Sequence, residues 1–163
     1  MDDWDLPSPH VHAVVAASED IDGYGHVNNA VYVRWLDHAA WSHSTALGLG
    51  PASVQGHRRG MAVWRTQVNY LAPAFEGEPL ELGTWLVRND GRLRIDRRFQ
   101  LRRASDGQTL VRALIHYVCI DLDSGRARRM PPEFVAGYRP LEEVLAAVAA
   151  EPLPFAPGVE PDG

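Results

Sequence analysis

Residues 29–47 contain neither proline nor glycine, and Gly48 and then Pro51 come after them as stop signals. Such a stretch predicts a helix of about five turns at 3.6 residues per turn, with Asn28 or Asn29 as the N-cap accepting a free backbone N–H. Val31, Trp35, Leu36, Ala39, Ala40 and Leu47 spread over most of its circumference rather than one stripe. That is the pattern of a helix packed on several sides. The residues before it, 20–29, are polar and carry Gly23 and Gly25, so they read as a loop. This loop sets a carboxylate, an imidazole and amides beside the helix N-terminus, whose free N–H groups and positive dipole end favour a developing negative charge.

A helix buried all round needs a wrapping partner, and the rest of the chain supplies strands. Residues 10–17 are short and β-branched in the middle and read as strand one. Residues 48–60, with Pro51 and four glycines, read as a connecting loop whose basic group His57-Arg58-Arg59 is solvated. From Gly60 the period becomes two. Ala62, Trp64, Thr66, Val68 and Tyr70 share a face of strand two, and Pro73 ends it. Leu80, Leu82, Thr84 and Leu86 alternate along a third strand. Leu93, Ile95, Phe99 and Leu101 alternate with Arg94, Asp96, Arg98, Gln100 and Arg102 along a fourth. Residues 109–122 are apolar on both faces in part, which predicts a central or doubly covered fifth strand.

Glu76-Gly77-Glu78-Pro79, Asn89-Asp90-Gly91 and Ser105-Asp106-Gly107 have hairpin chemistry and predict antiparallel neighbours. Pro131-Pro132 reads as a stop, residues 141–150 as a surface helix, residues 1–9 as a loose arm and the proline-rich last dozen as a frayed tail. The 163 residues therefore make one α+β domain with an ordered core over about 10–138.

Charge and cysteine use narrow the function. Residues 88–129 hold eleven arginines against five aspartates in a chain of net charge −5, so the remainder carries −11. All the basic residues are arginine, whose planar fork suits phosphate. The acidic total and the lack of a recognised module argue against a nucleic-acid partner. No apolar run approaches the ~18–20 residues that span a bilayer, which argues against membrane insertion. The acidic start Met1-Asp2-Asp3-Trp4-Asp5 does not resemble a secretory signal, and the single Cys119 allows no internal disulfide. A cytoplasmic protein is the expectation. The seven histidines lack metal-ligand spacing, so no metal is expected.

The run Asp20-Ile21-Asp22-Gly23-Tyr24-Gly25-His26-Val27-Asn28-Asn29, continuing through Tyr32 to Trp35-Leu36-Asp37, resembles the signature of hotdog-fold acyl-CoA thioesterases of the 4-hydroxybenzoyl-CoA thioesterase type. The order of elements resembles that family from about residue 10 to residue 138. The resemblance implies a hotdog fold, an antiparallel sheet of about five strands wrapped around one long central helix. It also implies hydrolysis of acyl-CoA thioesters to a free acid and coenzyme A, with no cofactor beyond the coenzyme A of the substrate. A homodimer or homotetramer with sites between subunits goes with it.

By the same resemblance Asp22 aligns with the catalytic aspartate, as nucleophile or general base; on residue type alone it is an Asx-turn residue shaping the loop. The Asn29 N–H is expected to polarise the thioester carbonyl. His26 either positions substrate or water, or bonds the loop backbone. Asn28 is a cap, with Tyr24 and Tyr32 beside the substrate, and Trp64 is core or pocket wall. Asp37 is the rival carboxylate, with a structural pairing to Arg34 or His38 expected, and Asp20 is a loop or rim residue. Arg92, Arg94, Arg126 and Arg128, with Arg97, Arg98 and Arg129, are candidates for the coenzyme A phosphates; an ordinary solvated sheet face is the plain alternative. Two other functions remain open: an acyl-carrier-protein thioesterase and a non-catalytic acyl-CoA-binding protein.

Overall fold

The computed structural model describes residues 4–151. Its five strands are β1 (His10–Val15), β2 (Arg59–Tyr70), β3 (Pro79–Asn89), β4 (Arg94–Arg103) and β5 (Thr109–Asp121). They form one antiparallel sheet in the order β1-β3-β4-β5-β2. The long helix α1 (Asn29–Ala46) lies against it, and short helices α2 (Pro51–His57), α3 (Pro132–Gly137) and α4 (Glu142–Ala150) complete the set. This is the expected α+β arrangement of a five-strand antiparallel sheet around a central helix. The proline-rich tail, with Pro152, Pro154, Pro157 and Pro161, lies outside the described residues, as does the start of the expected N-terminal arm.

α1 starts where the sequence places it. The Asn28 side chain accepts from Ala30 N–H at 3.0 Å as N-cap, and Gly48 takes a positive φ of 78° just past the helix end. Val31, Trp35, Leu36, Ala39 and Ala40 join Leu82, Leu86, Ile95, Phe99, Val111 and Ile115 in one core. Full burial of a side chain such as Leu36 stabilises the fold by ~1.5–3 kcal/mol.

Two expected stops are starts. Residues 48–60 are not all loop, because Pro51 opens α2, and Pro132 opens α3 instead of ending regular structure. Proline at the first helical position loses no hydrogen bond and brings a helical φ. Of His57-Arg58-Arg59, Arg58 is solvated as expected, whereas the Arg59 side chain is mostly covered. Arg58 pairs with Asp123 at 2.7 Å, and Arg59 with Asp121 at 3.4 Å.

The sheet is covered on both faces. Residues 4–9 are no loose arm: Leu6 is buried with Trp85 and Val144 of α4, and Trp85 Nε1–H donates to the Pro7 carbonyl at 2.8 Å. This cover explains why Arg98 and Gln100 on the outer row of β4 are buried rather than solvated, while Asp96 is buried against His116 at 2.8 Å. Arg98 donates to Glu151, and Gln100 accepts from Asp5 N–H at 2.7 Å.

Strand two carries a bulge between Val63 and Arg65. Opposed residues share a face, so Met61 and Val63, opposite Cys119 and Tyr117, lie on the core side with Thr66, Val68 and Tyr70. Ala62, opposite Val118, points the other way, and the simple alternation expected along this strand fails at the bulge.

Candidate active site

The loop ahead of α1 is built by its own polar side chains. Asp20 is buried rather than at the rim; its carboxylate accepts from Ala17 N–H at 2.9 Å and takes an ion pair from Arg34. The Ala17 N–H and then the Arg34 guanidinium hold that carboxyl below its usual range against the opposing effect of burial. The Asp20 carbonyl accepts from Asn28 N–H at 2.8 Å, and an isolated bridge joins Ile21 to Val27. Between them the chain turns tightly, with Gly25 at a φ of 79°.

Asp22 sits in that turn, half-buried. Its Oδ1 accepts from Tyr24 N–H at 2.8 Å and His26 N–H at 3.4 Å, the Asx-turn geometry. Its Oδ2 has no hydrogen-bond donor among the described residues. Tyr24 is 87% exposed. The His26 ring stands edge-on to Phe75 with centroids 5.4 Å apart. Asn28 caps the helix as expected. The Asn29 N–H has no acceptor among the described residues, while the Asn29 carbonyl accepts from Tyr70 Oη at 3.2 Å.

Tyr32 anchors the loop from below rather than lining an open surface. Its buried hydroxyl accepts from Ala74 N–H at 3.0 Å, and the Ala74 carbonyl accepts from Val27 N–H at 3.0 Å. Burial pushes the Tyr32 phenol up. Asp22, Tyr24, His26, Asn28, Asn29 and Tyr32 thus share one end of the molecule.

The other expected contacts lie elsewhere. Trp64 is on the outer side of β2, with Arg94 5.1 Å over its ring and His116 5.3 Å away. It is half exposed and is neither core nor pocket wall. Arg92, Arg94, Arg126 and Arg128 are exposed near the end of the sheet where β2 begins. Arg128 is already paired with Asp121 at 2.7 Å. The loop borders the opposite end of β2, at Tyr70. Twelve residues of strand separate the two ends by ~35 Å, so one chain does not bring these arginines to the loop. Arg97 and Arg98 are buried and unavailable to a surface phosphate.

Asp37 pairs with neither Arg34, which bonds Asp20, nor His38. It lines an apolar-walled cavity of about 250 Å³ between α1 and the first residues of β2, together with Trp41, Met61, Arg97, Tyr117 and Tyr138. Asp22, His26 and Asn29 are not among the lining residues of this cavity. Its sequence signal was an aspartate inside an apolar helix. Cys119 is a buried strand residue as expected, and burial pushes its thiol up to about 11.

Known proteins share this plan. The profile of the Thioesterase-like superfamily matches residues 17–138. Long-chain acyl-CoA thioesterase FadM of Escherichia coli is 30% identical over 117 residues, covering 69% of this chain and 84% of that protein. The crystal structure of YbaW, a probable thioesterase from Escherichia coli, superposes with a TM-score of 0.68 at 25% identity, covering 83% of this chain and 98% of that one. The Staphylococcus aureus protein SAV2348, solved in complex with CoA, superposes at 0.74 with 17% identity over 81% of this chain and 82% of that one; that likeness concerns the fold. With a superfamily match spanning loop, central helix and sheet, the chain belongs to the thioesterase-like superfamily.

Proposed function

We propose that the chain hydrolyses acyl-CoA thioesters to a free carboxylic acid and coenzyme A, with Asp22 as the reacting carboxylate. One observation carries the assignment of the site: a carboxylate with one free oxygen stands in the turn that leads into α1, whose Asn29 N–H has no acceptor among the described residues. The thioester carbonyl oxygen accepts that N–H, which strengthens as negative charge develops on it. Asp22 then either attacks the carbonyl carbon, expelling the coenzyme A thiolate and leaving a mixed anhydride that water cleaves, or takes a proton from the attacking water. The thiolate leaves as the thiol after gaining a proton from solvent. His26, beside the turn, positions substrate or water, and Tyr24 and Asn28 border the entrance. Coenzyme A belongs to the substrate, and the reaction as written uses no metal or cofactor.

Two copies complete the site in this reading. β2 is an edge strand with Val63 51%, Trp64 49% and Tyr70 45% exposed, and edges of this kind are normally paired or covered. Antiparallel pairing of two β2 edges sets the arginine end of one copy beside the loop of the other. Arg92, Arg94, Arg126 and Arg128 then face the phosphates of a coenzyme A bound at the neighbouring loop, in a homodimer or homotetramer. A cytoplasmic location accords with it; no helix of the described residues is long and apolar enough to cross a membrane.

The position of Asp37 on the wall of the apolar cavity favours a second assignment of the carboxylate. Kinetics on short, long and aromatic acyl-CoAs decides. Asp22→Ala is expected to lower kcat by at least ~100-fold, in line with loss of a positioned base, and Asp37→Ala by under ~10-fold. The reverse pattern transfers the role to Asp37. Faster turnover of acyl-carrier-protein thioesters than of CoA thioesters identifies a carrier-protein thioesterase. Ligand binding without turnover identifies a non-catalytic binding protein.

A further inference from the structure

Arg97 occupies a position that sequence pattern reserves for an apolar residue. On β4 it stands between Ile95 and Phe99 in the row that faces α1, opposite Leu86 on β3 and Ile115 on β5. It is 2% exposed. Its guanidinium bonds only neutral groups: His43 Nδ1 at 2.7 Å, Ser44 Oγ at 2.9 Å and the face of Tyr138 at 5.6 Å. Burial, with the nearby Arg97 charge, drives the His43 ring to about 3, so at neutral pH the ring is uncharged and Nδ1 is an acceptor. None of the ion pairs among the described residues includes Arg97.

An ion taken from water without a counter-ion costs several kcal/mol, and neutral hydrogen bonds offset only part of this. This ion also lines the apolar-walled cavity that runs along α1. Five fixed donors in a plane match a carboxylate better than any neutral group. Asp37 lines the same cavity but lies outside ion-pair distance of Arg97, two helical turns before Ser44. The hydroxyls of Tyr117 and Tyr138 are the other polar groups nearby, and burial pushes the Tyr117 phenol up to about 12, so it stays a neutral donor.

We propose that the cavity between α1 and β2 receives an acyl group whose far end bears a carboxylate, held by Arg97, so that the preferred substrates are mono-CoA thioesters of dicarboxylic acids. This rests on the hydrolase reading and on a reacting carboxylate at this cavity, either Asp37 or the Asp22 of a second copy paired along β2, because Asp22 of the same chain lies ~22 Å along α1 from Ser44. A methyl-ended chain entering the same cavity removes water from Arg97 and gives nothing back. The carboxylate end supplies the missing counter-ion.

Matched substrates of equal length test it: adipoyl-CoA against hexanoyl-CoA, with palmitoyl-CoA as a long methyl-ended arm. The wild-type protein is expected to favour adipoyl-CoA in kcat/KM by ~10–100-fold, the worth of one charge-assisted contact. In Arg97→Met, which replaces the buried ion with a side chain of similar reach, the order reverses while hexanoyl-CoA turnover persists. Arg97→Lys keeps the charge without the fork and falls between them; if Arg97→Met does not fold, its ratio decides. Equal use of both substrates, or preference for hexanoyl- or palmitoyl-CoA, overturns the inference and leaves the hydrolase reading intact. If no acyl-CoA is hydrolysed, that reading has failed, and calorimetric titration with adipate judges the anion site alone. Binding lost in Arg97→Met supports it, and equal or absent binding overturns it.

Discussion

His43 offers a direct test of how the core around Arg97 is arranged. The ring is packed between His10 of β1, stacked at 4.9 Å, and Arg97 of β4, at 2.7 Å; Arg139 lines the same small cavity. Burial first, then the charges of Arg97 and His10, lower its pKa to about 3. A histidine that protonates at ~6.5 when unfolded but only at about 3 when folded binds more protons in the unfolded state throughout that window. Stability is therefore complete above ~6.5 and is lost as pH falls below it. From about pH 7.5 to about pH 5 the loss from one such group is ~2 kcal/mol, trimmed to ~1–2 kcal/mol because the ring keeps some solvent contact. His43→Gln keeps an oxygen that can accept from Arg97 but does not titrate. Urea unfolding of both proteins at the two pH values gives four free energies. The pH-dependent loss is expected to be ~1–2 kcal/mol smaller in the glutamine variant. His10, whose pKa burial also lowers, is present in both proteins, so the difference reports His43 together with its coupling to the stacked His10 ring. An equal loss in both would refute the claim that His43 is held neutral against Arg97.

Tyr32→Phe removes the acceptor of a buried Ala74 N–H and is expected to cost ~1–3 kcal/mol in denaturant unfolding. Because Ala74 also holds Val27, the same variant is expected to lower kcat, whereas a purely local loss would leave kcat unchanged. Gly83→Ala places a Cβ 2.7 Å from the Trp4 ring and should lift the N-terminal segment from β3, costing ~1–3 kcal/mol; an unchanged melting temperature would show that Trp4 does not rest there.

The central helix and the five strands were legible because period and breaker residues act locally. Asn28 and Gly48 bound α1 by chemistry that needs no tertiary context, and the turn glycines fix the hairpins. The misread places are those where one residue type has opposite meanings. Pro51 and Pro132 end a preceding segment and begin a helix with the same fixed φ, and only the residues C-terminal to each proline decide between the two. The bulge at Trp64 left no composition signal, since its neighbours on both sides suit a strand. In the candidate site, the turn chemistry of Asp22 and the cap at Asn28 were readable from spacing. The burial of Asp20, Arg97 and Arg98 was not, because it depends on partners brought in by the fold: Arg34 for Asp20, Glu151 for Arg98, α1 and Tyr138 for Arg97.

The arginines show how the same misreading bears on function. Along β4, Arg94, Arg98 and Arg102 fall in the polar row of the alternation, whereas Arg97 falls in the row of Ile95 and Phe99 that faces α1. Arg98 and Arg102 end in ion pairs with Glu151 and Glu81, and Arg94 covers Trp64. Carboxylates answer Arg98 and Arg102, and Arg94 is open to solvent, but the buried charge of Arg97 is answered only by neutral groups and an opening. An evolutionary accident at that position would be easy to remove, since apolar replacement of a buried ion is often neutral or stabilising. A guanidinium kept beside an apolar cavity, with no counter-ion among the described residues, is therefore better explained by what enters the cavity than by what it adds to the fold.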